Sequence, residues 1–155
     1  MNLLEQLIKD FTAYTFVAGE HFSWAPRKRT IQYDSMSNPD SNWSLLHELG
    51  HATLGHRGYK RDIELIQLEV EAWDKASKIG HSYGITINWR HIEQCIDSYR
   101  DWLHARSTCP RCNMVSFQFH PLTYKCINCH TSWHVSKSRL CRIHRRVIIQ
   151  KQPLR

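Results

Sequence analysis

The chain has 155 residues, 41% of them hydrophobic and 11% aromatic, enough for one compact domain with a small satellite and too few for two ordinary domains. Glu5, Lys9 and Asp10 stand where a signal peptide needs an unbroken apolar core, and no segment reaches the ~20 apolar residues of a membrane span, so the expectation is a soluble, cytoplasmic protein with no membrane partner. Charge is unevenly divided: residues 1–101 hold 11 Lys/Arg and all 14 Asp/Glu, whereas residues 102–155 hold 10 Lys/Arg and no acid, a field that favours nucleic acid or another polyanion.

In chain order, Leu3, Leu4, Leu7, Ile8 and Phe11 recur at helical spacing and predict an amphipathic helix over 2–17. Residues 29–34 alternate as a strand. The cluster 35–42, with Pro39 inside it, reads as a loop supplying Asp40 or Ser41 as the N-cap of a helix that runs to about Leu54, where Gly55 stops it. A third helix is expected over 61–79 and, after a connector at 80–88, a fourth over 89–105, where Ile92, Cys95, Ile96, Tyr99, Trp102 and Leu103 follow the i, i+3, i+4, i+7 rule. Past Cys109 the period becomes two: Val115, Phe117 and Phe119 alternate with Ser116, Gln118 and His120, and Pro121 turns the chain into 122–125. The fold class read from this pattern is α+β. A mostly helical domain with a small sheet covers 1–105, a small β unit 106–136, and a basic tail 137–155.

Three histidines and a glutamate interrupt the apolar run SLLHELGHATLGH. On a helix, His47 and His51 lie four residues apart and project from one face toward a single ion, with Glu48 beside them. Two neutral imidazoles leave zinc room for a third protein ligand and a water, and Glu48 is placed to act as the base that deprotonates it. Leu45, Leu46, Leu49 and Ala52 set these groups at a core boundary, and Gly50 marks a close packing position. His56 is a poor third ligand, since the HExxHxxGxxH spacing needs a glycine at Leu54 and a histidine at Arg57. In the next helix, Glu69 sits among Leu65, Ile66, Ala72, Trp73 and Ala76, where an unpaired carboxylate is costly. Glu71 has Gln67, Asp74, Lys75 and Lys78 around it, the composition of a solvated face. Helical phase therefore selects Glu69 as the third metal ligand.

At these residues the chain resembles the gluzincin metallopeptidases, and within them the ImmA/IrrE-like proteins, whose active-site helix reads HELGH and whose next helix carries E-x-E-A-(N/D). The matching residues are His47, Glu48, Leu49, Gly50 and His51, then Glu69, Val70, Glu71 and Ala72, over about residues 15–80. Trp73 departs from the pattern. The resemblance implies a zincin-like fold, Glu69 as a ligand of the catalytic zinc, a protein substrate such as a repressor or other regulator, and a sheet edge near residues 30–33 that holds an extended peptide.

Cys109-Pro-Arg-Cys112 and Cys126-Ile-Asn-Cys129 flank the predicted hairpin and supply four thiolates for a closed tetrahedral zinc site, which looks like a zinc ribbon. Its role is structural, since a unit this short lacks a core of its own. Cys141, His130 and His134 are weaker alternatives as ligands, and Cys95 reads as a core residue. Lys137, Arg139, Arg142, Arg145, Arg146 and Lys151 follow Trp133, taken as an exposed ring, a combination suited to DNA or RNA. A protease followed by a ribbon is also similar to the SprT-like proteases acting on DNA-bound proteins, whose downstream third histidine has no clear counterpart here. The sequence thus predicts a zinc metalloendopeptidase with two zinc ions, one catalytic and one structural, docked through its ribbon and tail. The competing class is a non-enzymatic zinc-ribbon protein that binds nucleic acid. Tyr59, His56, His81 and Tyr83 remain open as oxyanion stabilisers, and no oligomeric state is read.

Overall fold

The computed structural model describes every residue except Ser37, Leu140, Cys141 and 150–155, and within those bounds the chain is mixed α+β, with four helices and two small sheets. Cys141 and Lys151 lie outside the described residues. The chain divides into two compact units, Met1–Tyr59 with Leu65–Ile96, and Lys60–Glu64 with Asp97–Arg155, so one division precedes the third helix and the other two fall inside the third and fourth helices. Among the described residues no helix is long and apolar enough to cross a membrane.

In the first unit, helix α1 (Leu3–Asp10) is opened by a capping box: Asn2 accepts from the Glu5 backbone N–H, and the Glu5 carboxylate accepts from the Asn2 N–H. It ends seven residues before the predicted stop. Thr15 and Val17, β-branched and past a turn at Thr12–Tyr14, instead enter strand β1 (Thr15–Ala18). Strand β2 (Ser23–Ala25), also absent from the sequence reading, pairs antiparallel with β3 (Thr30–Tyr33), which pairs parallel with β1. The order β1-β3-β2 makes β3 the central strand, so the sheet edge expected at residues 30–33 is not there; the edge strands are β1 and β2.

Helix α2 (Pro39–Leu54) begins earlier than predicted. Asn38 is its N-cap, accepting from the Ser41 N–H at 2.9 Å, and Pro39 occupies the first turn, where its missing N–H costs nothing. Gly55 ends it in the left-handed conformation, φ 70°. Helices α3 (Asp62–Ser82) and α4 (Trp89–Ser107) each run two or three residues beyond the predicted ends. The core joins Leu7 and Ile31 to Leu45, Leu46 and Leu49 of α2 and to Trp73, Ala76 and Ile79 of α3. At Gly50 the two helices approach so closely that a Cβ would stand 2.4 Å from the Ala72 carbonyl oxygen.

The second unit carries a four-stranded antiparallel sheet in the order β4 (Phe117–His120), β5 (Thr123–Lys125), β6 (Ser132–Val135), β7 (Arg145–Val147). The fourth strand lies in the stretch read as a basic tail. Trp133, taken from the sequence as an exposed ring, is fully buried: it stacks on Tyr124 at 5.7 Å and donates its indole N–H to the Arg106 carbonyl. The short core is completed by a buried polar network. Asp62 accepts from the Arg106 guanidinium at 2.7 Å and from the Tyr124 hydroxyl at 2.6 Å, and a second Arg106 nitrogen donates to the Ser136 carbonyl.

Candidate functional site

His47 and His51, one turn apart on α2, face Glu69 on α3. His47 Nε2 lies 3.0 Å from Glu69 Oε2 and 3.1 Å from His51 Nε2, and His51 Nε2 lies 3.5 Å from Glu69 Oε1. Bonds of about 2.0–2.1 Å in tetrahedral geometry hold ligand atoms about 3.3 Å apart, so this donor set fits one ion such as zinc. The three residues named as ligands from sequence are thus brought together as a group that can hold a metal ion. Burial works to raise the Glu69 carboxyl, but hydrogen bonds to His47 and His51 overcome it and bring it down to about 2.

Glu48 stands outside that group. Its carboxylate accepts a hydrogen bond from the backbone N–H of Trp24 on β2. Burial pushes it upward, against the opposing pull of His47 and His51. Trp24 is fixed in turn by its indole N–H, which donates to the His56 carbonyl at 2.8 Å, and by an edge-on contact with Tyr14.

The sequence reading did not foresee how the two histidines are supported. His56 is not in the metal group, but its Nδ1 lies 2.8 Å from His51 Nδ1, and its Nε2 lies 3.3 Å from the Glu71 carboxylate. If His51 offers Nε2 to the ion, its Nδ1–H donates to His56 Nδ1, and His56 Nε2–H donates to Glu71; one set of tautomers satisfies every contact. Burial, with His51 alongside, lowers the His56 pKa, in keeping with a neutral ring. The turn at Gly55 makes this possible by returning the chain so that the His56 N–H meets the His51 carbonyl at 3.0 Å. The Glu71 side chain is 60% exposed, as its neighbours on the helix suggested.

His47 is held differently. Trp73 stacks on its ring at 4.2 Å and 27°, His91 meets Trp73 edge-on at 5.5 Å, and His47 Nδ1 has no hydrogen-bond partner among the described residues. Packing thus orients this imidazole at the point where the sequence departs from the E-x-E-A-(N/D) pattern. Of the groups considered as oxyanion stabilisers, His56 is committed to His51, and the Tyr83 hydroxyl donates to Asp10 at 2.7 Å. Burial and that carboxylate push Tyr83 up to about 12. Tyr59 and His81 are exposed. Cys95 is half-buried against the core, 3.6 Å from His91 Nε2.

In the second unit, Cys109, Cys112, Cys126 and Cys129 form a second group able to hold a metal. Their Sγ atoms lie 3.6 Å apart for Cys109 and Cys129 and 3.5 Å for Cys112 and Cys126. Tetrahedral zinc with bonds of about 2.3 Å sets its sulfurs about 3.8 Å apart, so the donors fit and close the site. Each knuckle ends on a residue with positive φ, Asn113 at 61° and His130 at 58°, and each directs backbone N–H groups at its first sulfur, Arg111 to Cys109 and Asn128 and Cys129 to Cys126. The Cys129 N–H is the main cause that holds Cys126 down to about 6, whereas burial pushes Cys109 up to about 11. His130 and His134 are not in the group; His134 Nδ1 lies 3.1 Å from the Thr123 hydroxyl.

The basic residues named for nucleic acid lie on the surface of the second unit. Lys137, Arg139, Arg142, Arg145 and Arg146 are all exposed; Arg139 lies over the Tyr99 ring at 4.6 Å and Arg145 donates to the Thr108 carbonyl at 2.7 Å. Compared with known proteins, the chain matches no family model, no curated protein and no solved structure.

Proposed function

We propose that this protein is a zinc-dependent metalloendopeptidase of gluzincin type, resembling the ImmA/IrrE-like proteins in a zincin-like first unit. The observation that carries the reading is Glu48: a half-buried carboxylate next to a two-histidine, one-glutamate donor set, held by a backbone N–H and left out of the ligand group. A purely structural metal site has no use for it.

Zinc at His47, His51 and Glu69 would supply Lewis acidity, polarising a substrate carbonyl and acidifying a water. Glu48 then accepts the water's proton at a carboxylate oxygen and passes it to the departing amine. Trp24 fixes that carboxylate through its backbone N–H, which also sets β2, one of the two edge strands, beside the base as a rail for an extended peptide. His56 and Glu71 hold the His51 ring, and Trp73 holds that of His47. The four-cysteine unit takes a second, structural zinc, and the acid-free stretch 102–155 docks the enzyme on nucleic acid or on its protein substrate. The test is Glu48→Gln. It should abolish cleavage of an unfolded protein substrate while metal content and thermal unfolding stay those of the parent, and retained hydrolysis in this variant overturns the mechanism.

A further inference from the structure

Phe117 and Phe119 are 70% and 48% exposed on β4, at the edge of the ribbon sheet. Strand pairing fixes what shares their face. Phe117 is opposite Lys125 and Lys125 opposite Ser132; two residues along, Thr123 is opposite His134 and His134 opposite Arg146. Paired residues point to the same side of a sheet, so Phe117, Lys125, His134 and Arg146 share one face, while Tyr124 and Trp133 alternate to the other and are buried. A bulge between Gln118 and His120 lets Phe119 line the same cleft as Phe117, about 380 Å³ with Lys125, Ile127 and His130. A second cleft, of about 430 Å³, is lined by His134, Arg146, Ile148 and Ile149.

Exposed rings on a small unit call for something to cover them. Residues 102–155 contain no acid, so the ligand this field attracts is an anion. A protein partner favours an apolar patch whose centre is depleted of charge, whereas here Lys125 and Arg146 stand within the clefts beside the rings and isoleucines, and cations beside exposed rings take phosphates on the cations and base faces on the rings. A duplex keeps its base faces stacked inside.

We propose that this sheet face binds single-stranded nucleic acid, with Phe117 and Phe119 stacking bases and Lys125 and Arg146 contacting phosphates. It rests on the docking role given above to the acid-free region, and moves the stacking surface from Trp133 to β4. From β4 to β7 is three strand spacings of about 4.8 Å, about 14 Å in all, the length of about four nucleotides stacked at about 3.4 Å each.

The test is fluorescence anisotropy of the full chain with a labelled oligothymidylate of about 12 nucleotides, a length within usual site sizes, and with a duplex of equal length, at about 50 and 200 mM salt. The parent should bind the single strand in preference to the duplex. Phe117→Ala/Phe119→Ala should weaken single-strand binding at least about tenfold with an unchanged salt slope, and Lys125→Ala/Arg146→Ala should lower the slope by about 1.4, or about 0.7 per phosphate. Phe117→Leu/Phe119→Leu keeps apolar bulk without a flat ring and should lose as much, with zinc content reporting that the ribbon is folded. Parent-like binding by both phenylalanine pairs, or equal binding of duplex, overturns the proposal and leaves the docking role standing. No binding of either oligonucleotide by the parent overturns the nucleic-acid docking role as well; the peptidase reading is tested independently by Glu48→Gln.

Discussion

Replacing Glu69, His56 and Glu71 one at a time separates ligand from support. Glu69→Gln puts a neutral amide where two carboxylate oxygens lie 3.0 and 3.5 Å from the histidine Nε2 atoms, so the ion loses a charged ligand and the site should retain little metal. His56→Ala removes the ring 2.8 Å from His51 Nδ1; partners of this kind are worth about 10–100-fold in metal affinity. Glu71→Gln removes only a charge from a side chain 60% exposed and 3.3 Å from His56. Exposed pairs contribute about 0.2–1 kcal/mol, or about 1.5- to 5-fold in affinity. The expected order of metal loss is therefore Glu69→Gln, then His56→Ala, then Glu71→Gln. Two residues of helix turn the side chain through about 200°, so only one of the two glutamates can face the histidines. Competition of zinc against a chromophoric chelator reads all three without an activity assay. Greater metal loss from Glu71→Gln than from Glu69→Gln would refute the assignment, and an unchanged affinity in His56→Ala would deny His56 its supporting role.

Metal analysis of the parent should find two zinc ions per chain, and Cys109→Ser/Cys112→Ser should leave one, because each donor set stands in a separate compact unit; a parent stoichiometry of one, unchanged by that substitution, counts against the ribbon. Gly50→Ala places a Cβ 2.4 Å from the Ala72 oxygen, so α2 and α3 must part, costing at least about 1–3 kcal/mol and loosening the His47–Glu69 geometry; an unaltered Tm would show that the helices yield freely. Arg106→Met leaves Asp62 buried without its guanidinium and should cost about 3–5 kcal/mol, part of which Asp62→Asn in the same chain restores. Thermal unfolding of the single and double variants measures that recovery, and equal Tm values for the two would deny that an uncompensated charge is the cause.

Local spacing settled much of this protein before any tertiary contact is considered. The four-residue interval of His47 and His51, the position of Glu69 in an apolar stripe, and the two CxxC pairs around a period-two stretch all refer to one element or one turn, where backbone geometry alone fixes which side chains share a direction. Tertiary structure decided what depends on chain reversal and pairing. Only the left-handed turn at Gly55 returns His56 to His51, because five residues along a continuous helix would carry it off that face. Strands β1 and β2 carry three or four residues each, too few for periodicity to declare, and they exist because β3 offers both edges. Trp133 and Phe117 illustrate the same limit. Both sit in alternating segments, and alternation names two faces without saying which is buried; Tyr124, Asp62 and Arg106 fill one side of the sheet and so leave the phenylalanines on the other.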